Sequence, residues 1–298
     1  MTTKKASGLE TANKTEMDIQ HFFDSATSTL TYVVHDDRAG VVVDPVLDYD
    51  PKSARTATKS AEAAARYIDE RRLSVPYVID THAHVDHLTA MPYFKKRYGA
   101  RTVTGSRMGI VQRAFRDIYN LGTDFPVDGR QFDLLLEEGQ ELEVGSFRVR
   151  AMHTPGHTPA HMSWQISDAL IVGDTLFMPD YGTARCDFPG GSAEQLFDSI
   201  QRIYALPEST RLFMCHDYQP GGRELRFVTT VAEQKRTNIQ LREGTTKQEY
   251  VRIRKDRDIQ LDMPALILPA VQINIRAGEF PEAEANGTAY LKIPLNRF

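Results

Sequence analysis

The stretch Thr81-His-Ala-His-Val-Asp-His87 places three histidines and one aspartate within seven residues, directly after the apolar run Val75-Pro-Tyr-Val-Ile79. Imidazoles and carboxylates packed this densely are costly to bury unless a cation neutralises and orders them. In extended or turn backbone His82 and His84 project to roughly the same side, while Asp86 and His87 open the next element. A polar loop that merely happens to be rich in histidine is the bland alternative, and it loses ground because matching residues recur downstream. The first expectation is a metal site, and the fold must bring other ligand-bearing segments to it.

The chain has 298 residues, 41% hydrophobic and 26% charged, enough to bury a substantial core. A net charge of -4 gives no global support for binding nucleic acid or an anionic membrane. No apolar run approaches the roughly 18 residues of a bilayer span. Residues 1–17 read as a polar tail without the apolar core of a secretory signal, so a cytoplasmic protein is expected. Two cysteines, Cys186 and Cys215, are too few for a disulfide framework and read as small buried thiols. A reactive role for Cys186, which lies beside a site candidate, stays open.

Along the chain, Thr29–Val34 and Gly40–Asp44 read as strands joined by a turn. The Ala-rich segment Ser60–Arg72 predicts a helix, followed by a short buried strand at Val75–Ile79. Leu88–Tyr98 predicts a helix that Pro92 starts or bends, Arg101–Thr104 a strand, and Met108–Tyr119 a helix. From about Glu137 the texture turns strand-like, with alternation at Glu141–Val144 and Ser146–Met152 and apolar runs at His161–Ile166 and Ala169–Val172. A helix at Ser192–Leu206, a strand at Thr210–Met214, helices at Arg223–Thr237 and Lys247–Arg257, and a Pro-punctuated tail complete the reading. Two β-rich blocks with helices between them suit an α/β fold of two mixed sheets packed face to face, with helices outside (an αββα sandwich). A doubly wound parallel sheet fits less well, because the hairpins at 29–44 and 137–172 are antiparallel.

Three further groups carry ligand chemistry. In Met152-His-Thr-Pro-Gly-His-Thr-Pro-Ala-His161, Pro155 and Gly156 force a turn that aims His157 at the sheet edge, while His153 and His161 read as hydrogen-bonded histidines. Ile171-Val-Gly-Asp174 closes an apolar strand with an aspartate, which alone would read as a turn or helix cap. Phe213-Met-Cys-His216-Asp-Tyr218 is another strand end with a ligand-type residue. Four strand ends thus deliver His, His, Asp and His toward one place.

With these motifs in this order, the chain resembles the metallo-β-lactamase superfamily. The resemblance implies the αββα sandwich as one domain over 18–298, with the metal at an edge between the sheets. A two-zinc hydrolase of that superfamily would take His82, His84 and His157 on one ion, Asp86, His87 and His216 on the other, and Asp174 as the bridge. A mononuclear iron(II) enzyme would use His82, His157 and Asp174, a 2-His-1-carboxylate triad that leaves positions open. All of these residues are present, so they do not decide between the two. The segments Asp174–Gly191, Cys215–Tyr218, Leu268–Gly278, Asp24–Tyr32 and Asp44–Ser53 resemble the bacterial persulfide dioxygenase branch. His161 departs from it, standing where a cysteine or other small residue is expected.

That branch implies oxidation of glutathione persulfide by O2 to sulfite and glutathione, with one iron per chain. Asp86, His87, His84 and His216 would then orient ligands and manage protons. Arg185 and Tyr218 match residues that hold glutathione in related glyoxalase II enzymes, and Arg276 is carried only by the late Asn-Ile-Arg-Ala-Gly likeness. A homodimer is common for the fold. The alternatives are a two-zinc thioester hydrolase of the glyoxalase II type and a non-enzymatic sulfur sensor built on Cys186.

Overall fold

Val41-Val42-Val43 and Val78-Ile79 are apolar at consecutive positions, so strands made of them have no polar face for solvent and need cover on both sides. The structure, a computed structural model that describes residues 17–297, supplies that cover. Apart from Met17, the expected polar tail lies outside the described residues.

The first half of the chain contains β1 (Asp18–Asp24), β2 (Thr29–His35), β3 (Ala39–Val43), β4 (Val46–Asp50), β5 (Arg55–Ala57), α1 (Lys59–Arg71), β6 (Ser74–Ile79), β7 (Leu88–Thr89), α2 (Met91–Tyr98), β8 (Arg101–Gly105), α3 (Met108–Tyr119) and β9 (Leu134–Leu136). The second half contains β10 (Glu141–Val144), β11 (Phe147–His153), β12 (Met162–Ile166), β13 (Ala169–Ile171), α4 (Ala193–Tyr204), β14 (Arg211–Phe213), β15 (Val228–Thr230), α5 (Val231–Thr237), α6 (Lys247–Asp258) and α7 (Ile267–Asn274). One sheet runs β1-β2-β3-β6-β8-β9 and a second β10-β11-β12-β13-β14-β15, while β5-β4-β7 form a small third. In the first sheet β1, β2 and β3 pair antiparallel, and β3, β6, β8 and β9 pair parallel. The second is antiparallel except where β13 meets β14.

Side-chain alternation sorts the core into three layers. Tyr32, Val34, Val41 and Val43 point inward against Val149, Trp164 and Ile171 of the opposite sheet. Val33, Val42 and Val78 point outward under α1, α2 and α3, meeting Ile68, Phe94 and Phe115. On the far side Leu170, Val172 and Leu212 meet Leu196 and Ile200 of α4 and Tyr250 of α6. This is the expected αββα sandwich.

Several elements differ from the sequence reading. β1 is a strand before the first one expected, paired along its full length with β2 across the turn at 25–28. The helix expected at 88–98 begins only at Met91, because Pro92 fits the first turn, where its missing N–H costs nothing, and residues 88–89 pair with β4 instead. The helix expected at 223–237 is confined to 231–237, since Val228–Thr230, β-branched throughout, pairs with β14. The Pro-punctuated tail contains α7, whose residues Ile267, Ala270, Val271 and Ile273 are buried. Pro264 and Pro269 read as breakers, yet one precedes the helix and the other sits in its first turn.

At the end of the sandwich away from the histidines, Asp36 ties the two sheets together. Its carboxylate accepts the N–H groups of Arg38 and Ala39 at 2.7 Å each, and that of Ser146 in the β10–β11 turn at 2.6 Å. Burial alone would raise this carboxyl, but those amide donors outweigh it and hold it down at about 2. The stabilisation is therefore complete above the unfolded carboxyl range near 4 and is lost as pH falls through 2. Asp36→Asn, which turns a donor toward the Ser146 N–H, is expected to cost about 1–3 kcal/mol at pH 7. In urea unfolding the gap to the unsubstituted protein should narrow as pH drops from about 4 to 2. A gap independent of pH over that range would contradict the assignment.

Candidate metal centre

Strand ends from both sheets converge on one edge of the sandwich. β6 runs into 80–87, β11 into 154–161, β13 into 172–174 and β14 into 214–218, while Asp44 follows β3. Backbone bonds hold these ends in register: Met162 N–H to the Thr81 carbonyl at 2.8 Å, and Leu30 N–H to the Cys215 carbonyl at 2.7 Å. Two glycines permit the close approach. Gly156, at φ 146°, has Leu196 backbone 2.4 Å from where a Cβ would stand. At Gly173, with φ 53°, a Cβ would meet His161 Nε2 at 2.6 Å.

His82, His84, His87, His157 and His216 each have one ring nitrogen occupied or near a partner and the other left bare among the described residues. His157 Nδ1 donates to the Arg185 carbonyl at 2.8 Å, and His82 Nδ1 lies 3.0 Å from Thr81 Oγ1. His216 Nδ1 lies 3.2 Å from the Ser28 carbonyl. Such bonds fix the tautomer and turn the lone pair of Nε2 inward. His82 Nε2, His84 Nδ1, His87 Nε2, His157 Nε2, His216 Nε2, Asp86 Oδ1 and Asp174 Oδ1 are all buried without a hydrogen-bond partner among the described residues. Buried polar atoms are normally satisfied, so this concentration of bare ones fits a bound cation.

Six of these seven residues fall into two neighbouring groups, and His216 joins Asp174 and Cys215 in another. His82, His157 and Asp174 each offer a ligand atom within 4.8 Å of the others, and so do His84, Asp86 and His87. Asp174 stands between them: Oδ2 is 3.6 Å from His157 Nε2 and 4.0 Å from His82 Nε2, while Oδ1 is 3.4 Å from His216 Nε2. His216 Nε2 is also 3.1 Å from Asp86 Oδ2.

The supporting residues come from places that the ligand motifs do not mark. Asp44, buried at φ 49°, accepts the Thr81 N–H at 2.7 Å and the Thr81 hydroxyl at 3.0 Å, and pairs with His84 Nε2 at 3.0 Å. Burial would depress His84, but Asp44 outweighs it, with Asp80 and Asp86 adding, and carries the ring up to about 9. Burial and repulsion from His84 and His161 push His82 well below its ordinary value. For Asp86, His216 and His87 overcome the burial penalty and hold the carboxyl down. His161 Nε2 accepts the Asp174 N–H at 2.8 Å and its Nδ1 lies 2.9 Å from Thr154 Oγ1, so its bonds fix the Asp174 backbone. His153 Nε2 donates to the Pro159 carbonyl at 3.1 Å.

Asn274, at the end of α7, makes the longest-range support. Its amide donates to the carbonyls of His84 and His87, both at 2.8 Å, and its oxygen accepts the Thr89 N–H at 2.9 Å. Neither Asp44 nor Asn274 is singled out by the sequence reading: Asp44 closes a segment that reads as a strand, and Asn274 sits in one that reads as tail.

A cavity of about 390 Å³ opens beside the cluster, with Asp86, His157 and Asp174 at its floor and Phe177, Arg185 and Tyr218 in its walls. The Tyr218 ring stacks on Tyr181 at 4.6 Å and on His216 at 5.7 Å, and its hydroxyl makes no hydrogen bond among the described residues. Arg185 forks onto Asp187 at 2.6 and 2.7 Å and reaches the Asp262 carbonyl at 2.7 Å. Arg276 is not brought here. It stacks over Phe125 at 4.8 Å and bonds the Gln272 carbonyl, outside the cavity lining. Both cysteines are buried, and burial pushes the Cys186 thiol up, which gives no support to a reactive thiol there. No helix among the described residues is long and apolar enough to cross a membrane.

Comparison with known proteins agrees with this geometry. The sequence model of the metallo-beta-lactamase superfamily matches residues 25–216. A probable metallo-hydrolase of Burkholderia pseudomallei is 49% identical over 94% of this chain and 99% of its own length. Glyoxylase B2 of Dictyostelium discoideum is 44% identical over 96% of this chain and 98% of its own. The human mitochondrial persulfide dioxygenase ETHE1 is 28% identical over 87% of this chain and 88% of its own. The crystal structure of ETHE1 from Myxococcus xanthus superposes with a TM-score of 0.71 at 30% identity, covering 88% of this chain and all of that one.

Because Asn274 holds the loop that carries three of the histidines, Asn274→Ala should weaken metal retention roughly 10- to 100-fold in a chelator competition. Retention equal to that of the unsubstituted protein would remove Asn274 from the support of the site.

Proposed function

This chain belongs to the metallo-beta-lactamase superfamily, and we propose that within it the protein is an iron(II)-dependent persulfide dioxygenase. The reaction converts glutathione persulfide, O2 and water into glutathione, sulfite and two protons. One observation carries the reading: His82, His157 and Asp174 converge as two imidazoles and a carboxylate, and His157 and Asp174 of that group also line an open cavity. The likeness to persulfide dioxygenases named ETHE1, in sequence and in structure, supports it.

These three residues would hold the metal. Iron(II) on such a triad supplies vacant positions for O2 and a soft sulfur anion, together with electrons for oxygen chemistry. The protein's own residues do the rest. Arg185 O locks the His157 tautomer and His161 locks the backbone of Asp174, so both are aimed before substrate arrives. Phe177 and Phe188 line the approach and limit water near the reacting sulfur. Asp86 and His216, paired at 3.1 Å, stand beside Asp174 where protons from substrate and water can be exchanged. The free Tyr218 hydroxyl and the fixed Arg185 fork present donors to the carrier of the persulfide.

A second reading, a two-metal thioester hydrolase, is favoured by one observation: the group His84, Asp86 and His87 also has bare ligand atoms, with Asp174 able to bridge. Relatives named as a metallo-hydrolase and a glyoxylase agree with it. Metal-analysed protein separates the two. The dioxygenase predicts about one iron per chain and oxygen uptake with glutathione persulfide, whereas two metals and thiol release from S-lactoylglutathione without oxygen uptake would replace it.

His157→Ala removes one of three ligands under the first reading. It should lose most of its iron and reduce oxygen uptake by at least about 100-fold, measured together by metal analysis and an oxygen electrode. Full iron with normal turnover would show that His157 is not a ligand.

A further inference from the structure

Three arginines line the cavity beside the candidate metal centre, and only one of them has its charge to spare. Arg185 is spanned by the two oxygens of Asp187 at 2.6 and 2.7 Å. Arg254 is buried against Asp258 at 2.7 Å and also bonds the Thr183 carbonyl at 2.8 Å. Arg257, one turn further along α6, makes no hydrogen bond, ion pair or ring contact with its side chain among the described residues, and it is exposed. A solvated surface charge would be the ordinary explanation for such a residue. Its position argues otherwise, because it stands in the wall of the same cavity that has Asp174 and His157 at its floor.

The acids of this cavity divide in the same way. Asp86 and Asp174 face the histidines, whereas Asp262 lines the mouth with its carboxylate unpaired among the described residues. The stretch from the end of α6 into the loop at 259–266 therefore offers one uncommitted cation and one uncommitted anion. Arg185, already neutralised, orders the wall but adds little net field. Arg257 supplies the cationic charge not already neutralised by a protein carboxylate in that wall.

We propose that Arg257 is a specificity-determining residue that binds a carboxylate of the thiol carrier and so selects anionic thiols for this site. A tripeptide thiol such as glutathione carries two carboxylates and one ammonium, so it can use Arg257 without crowding Asp262. A guanidinium grips a carboxylate through paired N–H donors, and a planar fork does so better than a lysine ammonium. Because Arg257 is exposed, water and salt screen the contact, and a change of about 3- to 10-fold in affinity is the scale to expect.

The choice of glutathione as probe rests on the persulfide reading, but the role of Arg257 is tested by binding alone. Calorimetry on metal-loaded protein compares glutathione with its diethyl ester, in which both carboxylates are masked, for the unsubstituted chain, Arg257→Gln, Arg257→Lys and Arg252→Gln. Arg252 is an exposed arginine on the same helix that does not line this cavity, so its substitution controls for loss of bulk charge. Glutathione should bind the unsubstituted chain more tightly than the ester. Arg257→Gln should weaken glutathione about 3- to 10-fold and leave the ester unchanged, with Arg257→Lys in between and Arg252→Gln without effect. In turnover, Arg257→Gln should raise KM for glutathione persulfide by a similar factor and leave kcat unchanged. Equal binding of glutathione by Arg257→Gln and the unsubstituted chain, equal weakening of glutathione and ester, or no measurable binding of glutathione to the unsubstituted chain would each overturn the assignment. Absence of oxygen uptake by the unsubstituted chain would sink the dioxygenase reading while leaving the binding comparison decisive for Arg257.

Discussion

Seven ligand-type atoms, five imidazole nitrogens and two carboxylate oxygens, lie buried at one edge of two packed sheets with no hydrogen-bond partner among the described residues. Left bare, each would cost on the order of 1–3 kcal/mol of lost solvation. A divalent cation turns that penalty into bonding, which is the constraint that the rest of the structure serves. The strands beneath are buried on both faces and give the edge a rigid base. Glycines sit where a side chain would block the approach of two loops, and the near nitrogens of the histidines are committed so that the far ones stay available.

The geometry also explains how one scaffold can hold two groups of ligand-type residues side by side. Asp174 turns one oxygen to His82 and His157 and the other to His216. His84 is drawn the other way, into a buried pair with Asp44 that raises its pKa to about 9. The first group is thus a compact triad, two of whose members, His157 and Asp174, line the cavity. The second is woven into a network in which Asp44 pairs with His84, Thr29 approaches His87, and Asn274 clamps the backbone of both. In the cavity walls beside these groups, the neutralised Arg185, the stacked Tyr218 and Arg257, unpaired among the described residues, differ in how much charge they offer.

Much of this was legible in the sequence because metal ligation leaves dense local marks. The 82–87 run, the Pro-Gly-His turn and the two strand-terminal motifs are recognisable by residue type and by the apolar strands before them. Both sheets were legible from alternation and from apolar runs too long for a half-exposed strand. Support was not. Asp44 acts through four hydrogen bonds from Thr81, His84 and Cys215, and Asn274 acts across more than 180 positions. Neither residue type is unusual where it stands. The helix containing Asn274 was hidden by its prolines, whose local meaning as breakers gave way to burial of Ile267, Val271 and Ile273. Val228–Thr230 was read as helix, and only the partner strand Arg211–Phe213 decides that it extends a sheet. Arg276 shows the opposite error, since a family-like neighbourhood suggested a pocket residue and the side chain packs on Phe125 instead.

The central claim is that His82, His157 and Asp174 hold one redox-active ion. Anomalous diffraction at the iron edge, from crystals of protein reconstituted with iron(II) without oxygen, tests it most directly. A single strong peak within bonding distance of His82 Nε2, His157 Nε2 and an Asp174 carboxylate oxygen is the predicted result. Two peaks of equal strength bridged by Asp174, or a peak on the His84, Asp86 and His87 group alone, would contradict it.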